Sequence, residues 1–165
     1  MAKQDDIKLI IEQEKALVFS NFDEAAAYEI GHAIRERALR GGLGIVADVR
    51  TWGRPLYYMA LPGTTGDNVD WARRKANVVQ RMMKSTYRVV LERSWTEDYF
   101  PPRRGLDNME FVLAGGGFPI TVKGAGIIGA ICVSGLHERD DHGVVVEVLA
   151  ERLGVDKTSI TLPPL

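Results

Sequence analysis

The nine residues Gly126-Ile-Ile-Gly-Ala-Ile-Cys-Val-Ser134 decide how the rest of the sequence is interpreted. Apolar side chains occupy both alternating sets of positions in this stretch. One set is Ile128, Ala130 and Cys132, and the other is Ile127, Ile131 and Val133. A β-strand that is apolar on both faces is buried on both faces. We therefore predict a central strand here, in a sheet that helices cover on both sides.

Shorter β-rich segments supply neighbours for this strand. Pro119–Val122 precedes it across a turn at Lys123-Gly124, and this pair is typical of a hairpin. Leu43–Val49 and Leu56–Leu61 flank another glycine-containing turn and predict a second hairpin.

Apolar residues at helical spacing predict four helices, over residues 3–19, 23–40, 68–94 and 137–153. Gly41-Gly42 and Gly154 follow two of them, as glycines often do at helix C-termini. We expect residues 95–110 to form a long loop and residues 161–165 a loosely attached end.

Composition narrows the class of protein. A chain of 165 residues with 45% hydrophobic residues is expected to be one globular domain over residues 1–165. A net charge of −1 disfavours a nucleic-acid partner, and no apolar run approaches the roughly 20 residues of a membrane span. The single cysteine excludes an intrachain disulfide. The acidic start of the chain lacks the apolar core of a signal peptide, so we expect a cytoplasmic protein.

Three segments carry a family resemblance: Arg74-Lys75-Ala76, Gly115-Gly-Gly-Phe-Pro-Ile120, and Gly126–Gly135 followed closely by Asp140-Asp141. Together they resemble the GlcG/HbpS-like haem-degrading-domain superfamily, most closely its uncharacterised bacterial and fungal branch, over about residues 22–153. The resemblance implies an α/β (α+β) fold of profilin-like type. Its antiparallel sheet would have four or five strands, with helices on both faces.

The same resemblance implies self-association as a dimer or larger ring, and association with haem, another tetrapyrrole or a corrinoid. For a small-ligand-binding module, the expected ligand is haem, another tetrapyrrole or another small anion. The resemblance leaves the cofactor unknown, with haem as a candidate, and it leaves enzymatic activity open. We rank a small-ligand-binding module first and a non-enzymatic homo-oligomeric structural or interaction protein second. An enzyme of haem degradation comes third. Aromatic residues concentrate around the first hairpin and the long loop, where they would line a pocket or a subunit interface, and we favour the interface.

The cluster His137, Asp140, Asp141 and His142 stands where the central strand gives way to a helix. A histidine beside a carboxylate can shuttle protons or bind a metal. The simpler interpretation is that one aspartate stabilises the helix N-terminus and that the histidines lie on the surface. Spacing alone favours this second interpretation.

The long helix carries a series of basic residues that includes Arg74, Arg81, Lys84 and Arg88, with Lys75 beside the first. This series would hold carboxylates or phosphates, or it would be a solvated face paired with acids from neighbouring elements. Gly115–Gly117 would let the backbone approach a ligand closely, or it would form a tight bend into a strand.

We predict one ligand site from these segments and no metal site. Its residues are Lys75, Gly115, Gly116, Gly117, Pro119, Ser134, Gly135, His137, Asp141 and His142. A haem ligand would come from His32, His137, His142, Met82, a tyrosine or Cys132, although Cys132 in its apolar run is expected to be a buried thiol.

Overall fold

The computed structural model describes residues 2–165; residue 1 of the predicted domain lies outside this range. Its helices are α1 (Ala2–Ala16), α2 (Glu24–Gly41), α3 (Gly66–Met82), α4 (Thr86–Glu92) and α5 (Glu138–Leu153). Its strands are β1 (Val18–Phe19), β2 (Val46–Thr51), β3 (Arg54–Ala60), β4 (Gly117–Val122) and β5 (Gly126–Ser134). Within residues 2–165, no helix is both long and apolar enough to cross a lipid bilayer.

The five strands form one open sheet in the order β1-β4-β5-β2-β3. Strand β5 lies at its centre with the predicted bounds, and it pairs antiparallel with both β4 and β2. Strand β3 pairs antiparallel with β2 at one edge, while the short β1 joins β4 in parallel at the other. The predicted α/β class, with a five-stranded sheet and helices on both faces, is confirmed.

Two separate apolar layers cover the sheet. Ile131 and Val133 of β5 pack in the main core with residues of α2 and α5, whereas Ala130 and Cys132 pack with residues of α3. Ile128 departs from the predicted alternation and packs against the main core. The reason is a β-bulge, because Ile127 and Gly129 pair with consecutive β4 residues and Ile128 is left over.

The predicted long helix over residues 68–94 is wrong in one respect, because it is two helices. It breaks at Met83, whose φ of 55° is left-handed, and α4 begins after Ser85. The carboxylate of Glu14 in α1 accepts hydrogen bonds from the Ser85 backbone N–H and hydroxyl, both at 2.8 Å. A side chain from 71 residues away therefore stabilises the start of α4. Helix α3 begins earlier than predicted, with Thr65 as its N-cap.

Both ends of the described chain differ from the sequence prediction. Helix α1 ends at Ala16 because Val18–Phe19 pairs with β4. The C-terminal segment is attached more firmly than expected. Gln13 Nε2 donates to Ile160 O at 2.6 Å, Arg139 Nε donates to Pro163 O at 3.2 Å, and Leu162 packs against the apolar cluster of α1 and α4.

Candidate functional site

A cleft of about 230 Å³ opens where β5 ends and α5 begins, beside the first turns of α3. We call it the junction cleft. Its lining residues are Asp67, Asn68, Trp71, Lys75, Ala114, Ser134, Gly135, Leu136, Glu138 and Asp141. Two helix N-termini, those of α3 and α5, therefore meet at one opening, and each carries the partial positive charge of its helix dipole.

A buried ion pair forms the base of the junction cleft. Lys75 Nζ lies 2.9 Å from Asp141 Oδ2 and donates a second hydrogen bond to Val133 O at 2.8 Å. Only 1% of Lys75 and 2% of Asp141 is exposed. A buried charge is tolerated when it is paired and hydrogen-bonded, and this pair meets that condition. The ion pair joins α3 to α5 across the end of the central strand.

Asp141 also fixes the turn from β5 into α5. Its Oδ1 accepts a hydrogen bond from the Leu136 N–H at 2.9 Å, and the Gly135 N–H also stabilises the carboxylate. Burial raises the pKa of Asp141, while Lys75 and these backbone amides oppose that rise. The geometry supports a carboxylate paired with Lys75.

The glycine segment lies behind the ion pair. Gly116 has a φ of +121°, and a Cβ at this position would stand 2.8 Å from Lys75 Nζ and 2.9 Å from Asp141 Cβ. Any larger residue would therefore disturb the pair as well as strain the backbone. Gly115, Gly117 and Pro119 are buried and lie outside the cleft lining. The glycines position the ion pair, and they do not line the cleft.

The two predicted site histidines lie apart from the junction cleft and border a larger cavity of about 1030 Å³ beside α5. His137 is the exposed N-cap of α5, and its Nδ1 accepts a hydrogen bond from the Arg139 N–H at 3.3 Å. His142 is fully buried, contrary to the interpretation that placed it on the surface.

The bonding of His142 assigns its tautomer. Gln13 Nε2 donates to a carbonyl, so Gln13 Oε1 faces His142 Nε2 as an acceptor at 2.8 Å. His142 Nε2 therefore carries the proton, and Nδ1 is a bare acceptor without a partner among residues 2–165. Burial, with a smaller effect from Arg139, lowers the pKa of His142 to about 3. The imidazole is neutral at physiological pH.

The structure brings four of the ten predicted site residues together in the cleft: Lys75, Ser134, Gly135 and Asp141. The sequence prediction missed the contribution of the α3 N-terminus, namely Asp67, Asn68 and Trp71. The sequence indicates that a helix begins near Thr65. It does not indicate that this helix N-terminus lies beside the end of β5, which only the fold establishes.

The predicted basic series does not form one face, because the helix breaks at Met83. Arg88 contacts Glu14 of α1 at 2.7 Å, Lys84 contacts Glu92 of α4 at 2.7 Å, and Arg74 lies 3.7 Å from Asp70 of its own helix. Arg81 is exposed to solvent. These positions agree with the simpler interpretation of a solvated, partly paired series. Cys132 is buried as expected, and burial raises the pKa of its thiol far above the usual range.

The sequence model of the family described as "Haem degrading protein HbpS-like" matches residues 22–150. The chain belongs to this HbpS-like family. Among relatives of this HbpS-like chain, a UPF0303 protein of Mesorhizobium japonicum is 57% identical over 162 residues, covering 98% of this chain and 97% of the relative.

Solved structures share the fold of the HbpS-like chain at low sequence identity. The crystal structure of Ybr137w has a TM-score of 0.82 at 20% identity, covering 90% of this chain and 87% of that one. The crystal structure of a PduOC–haem complex has a TM-score of 0.63 at 20% identity, covering 81% and 94%. At these identities the likeness concerns the fold.

Haem, the group that the family name suggests, does not fit the junction cleft as an enclosed ligand. A volume of about 230 Å³ lies below the roughly 300–1,000 Å³ of sites that enclose drug-sized molecules. No His, Cys, Met or Tyr lines the cleft in the part of the chain described, so the usual axial ligands of haem iron are missing there. Residues 2–165 also contain no group of three or more His, Cys, Asp or Glu side chains that could hold a metal.

Proposed function

We propose that this HbpS-like chain is a small-ligand-binding module whose site is the junction cleft. The observation that carries the proposal is the bonding of Lys75 at the base of the cleft. An ammonium group has three donors, and Lys75 uses two of them on Val133 O and Asp141. The third has no acceptor among residues 2–165, and a carboxylate in the cleft would supply one.

The charges around the cleft limit the class of ligand. Asp67 and Glu138 line it in addition to the Lys75–Asp141 pair. These two carboxylates repel a ligand with several negative charges, and they would attract an ammonium group. The arrangement therefore favours a small monocarboxylate or a zwitterion such as an amino acid over a polyanion.

Haem binding is supported by the family match and by the fold shared with PduOC, which was crystallised as a haem complex. The shape of the junction cleft does not support it. A haem group would therefore need a surface beyond the junction cleft. The junction cleft gives no support for degradation of haem, because none of its lining residues among residues 2–165 is a usual axial ligand of haem iron. We therefore do not propose an enzymatic role.

Thermal shift measurements test the ligand class. Acetate and glycine are expected to raise the melting temperature of the wild type at millimolar concentrations, whereas citrate is expected to have no effect beyond ionic strength. Trp71→Ala removes a half-exposed wall of the cleft and is expected to abolish the shift. Tyr99→Ala removes a comparably exposed aromatic from a distant loop and is expected to leave it unchanged. Equal shifts in both variants would contradict the proposal.

Haemin titration separates the haem version from the small-ligand version. A saturable Soret shift that Trp71→Ala abolishes and Tyr99→Ala preserves would overturn the small-ligand assignment in favour of haem. A saturable Soret shift that neither variant changes would mean that haem binds another surface, and the small-ligand assignment of the cleft would stand. The absence of any Soret shift would remove haem altogether.

A homo-oligomeric structural role is the second candidate, and the uncovered part of the sheet favours it. Helix α3 covers β4, β5 and β2, so the face of β3 is left open beside Tyr58 and Trp71, which are 44% and 41% exposed. A second copy packed here would cover both aromatics.

Light scattering after size exclusion tests this second role. The wild type is expected to be an oligomer at micromolar concentration, and Tyr58→Glu is expected to dissociate it by placing a charge in the interface. Tyr28→Glu changes an exposed tyrosine on α2 and serves as the matched control. A monomeric wild type would reject the oligomeric role.

A further inference from the structure

The larger cavity lies between α5 and the C-terminal segment, and the junction cleft does not account for it. Its volume is about 1030 Å³, at the upper end of the range of sites that enclose whole small molecules. One wall is formed by α5, and residues 157–165 form another. The C-terminal segment is held there by hydrogen bonds from Gln13 and Arg139.

Gly143 leaves space in the α5 wall. It stands in the interior of a 16-residue helix, where glycine is among the least favourable residues because it loses the most backbone freedom. A Cβ at this position would meet no atom within 4 Å. An alanine would fit without a clash and would favour the helix. The glycine therefore widens the cavity at a cost to helix stability.

The charges at the cavity are balanced by acids of this chain. Arg37 contacts Glu147 at 3.0 Å, and Lys157 contacts Glu151 at 2.8 Å. Arg139 contacts Asp6 at 2.7 Å. Each of the three lining cations thus has a carboxylate partner, and a ligand carboxylate would have to displace one. Asp140, the remaining acid of the lining that is unpaired within residues 2–165, is exposed to water. The paired cations therefore disfavour an anionic ligand, and the apolar walls favour one whose enclosed part is uncharged.

The uncharged part of the lining is mainly apolar. Leu43, Leu136, Val144 and Leu162 contribute apolar walls. His142 borders the cavity but is fully buried, so a ligand would not reach its Nδ1. An uncharged, largely apolar ligand would match this lining.

We propose that the cavity between α5 and residues 157–165 is a second binding site, for an uncharged, largely apolar small molecule. This site is independent of the junction cleft and takes a different class of ligand. Gly143 provides the room for the ligand body, and the C-terminal segment closes over it.

Fluorescence titration of the full chain with N-phenyl-1-naphthylamine, a neutral aromatic amine, tests the proposal. The probe is expected to bind saturably, with one site per chain and a blue-shifted emission. Gly143→Phe fills the cavity from α5, and Thr158→Phe fills it from the C-terminal segment. Each is expected to raise the Kd by about tenfold or more. Thr96→Phe, on an exposed loop outside the cavity lining, is the matched control and is expected to stay within about twofold of the wild type.

Circular dichroism establishes which of the two filling variants are folded. Because the two substitutions fill the cavity from different walls, one folded variant is enough to test whether the probe binds in the cavity. If both fail to fold, competition between the probe and 1-naphthol on the wild type decides it, and absence of saturable competition overturns the proposal. An unchanged Kd in a folded filling variant also overturns it. The anionic probe 8-anilinonaphthalene-1-sulfonate is expected to bind more weakly, and equal or tighter binding would overturn the uncharged class.

Discussion

Asp141 and Asp48 are both buried carboxylates next to the central strand, but their surroundings differ. Asp141 accepts hydrogen bonds from Lys75 and from the turn between β5 and α5, so both of its oxygens are bonded. Asp48 is bonded only through Oδ2, to Arg50 at 2.6 and 2.9 Å, and its Oδ1 has no partner among residues 2–165. Burial raises the pKa of both.

The two aspartates differ in what happens to the partner charge when the carboxylate is removed. The Lys75–Asp141 pair is enclosed, so removing either partner leaves the other charge buried without compensation. The guanidinium of Arg50 is 23% exposed and can turn to water when its partner is lost. We therefore expect Asp141 to matter greatly for folding and Asp48 to matter much less.

Asp141→Ala is expected to give the largest effect. Removing one member of a buried pair costs about 3–5 kcal/mol in the free energy of unfolding, because the remaining charge is buried alone. Urea denaturation measures this loss. Asp140→Ala, at the exposed neighbouring position, is expected to change the stability by no more than about 0.5 kcal/mol. A loss below about 1 kcal/mol for Asp141→Ala would show that Lys75 is not dependent on this carboxylate.

His142 predicts a pH dependence of intermediate size. Its pKa is about 3 in the folded protein and about 6.5 when unfolded, so between these values only the unfolded chain binds a proton here. The free energy of unfolding therefore falls as the pH is lowered through this window, by about 2 kcal/mol from this group between pH 7 and pH 5.

His142→Gln removes the titrating group and keeps a polar side chain next to Gln13. The stability of the wild type relative to this variant is expected to decline between pH 7 and pH 5, as measured by urea denaturation at both values. A constant difference would mean that His142 is protonated in the folded protein or exposed to water.

Asp48→Asn is expected to have the smallest effect. Replacing a poorly compensated buried charge by a neutral group is close to neutral, so the free energy of unfolding, measured by urea denaturation, should change by less than about 1 kcal/mol. Because burial raises its pKa, Asp48 favours the folded state most at low pH, and this contribution is lost as the pH rises through the folded pKa. If Asp48→Asn lowered the free energy of unfolding as much as Asp141→Ala, the proposed difference between the two aspartates would be wrong.

The sequence predicted those elements whose signals are local. The bounds of β5 follow from its apolar pattern, and the ends of α2 and α5 follow from Gly42 and Gly154, both left-handed in the structure. The break after Met82 has no such signal, because a methionine in the left-handed region is uncommon. Glu14 of α1 stabilises the chain at this break through its hydrogen bonds to Ser85. A local sequence pattern does not predict a contact between residues 71 positions apart.

The sequence by itself determined a central strand buried on both faces and the helices around it, and it singled out Lys75, Gly116 and Asp141 as candidate site residues. Only the tertiary structure decided that Lys75 points inward to Asp141 while Arg73, two positions earlier, pairs with Glu110 at the surface. It also buried His142 behind α1 and joined the start of α3 to the end of β5. The physical reason is that the hydrophobic pattern fixes which face of an element is buried, whereas the partner of a buried polar group is set by packing between segments distant in the chain.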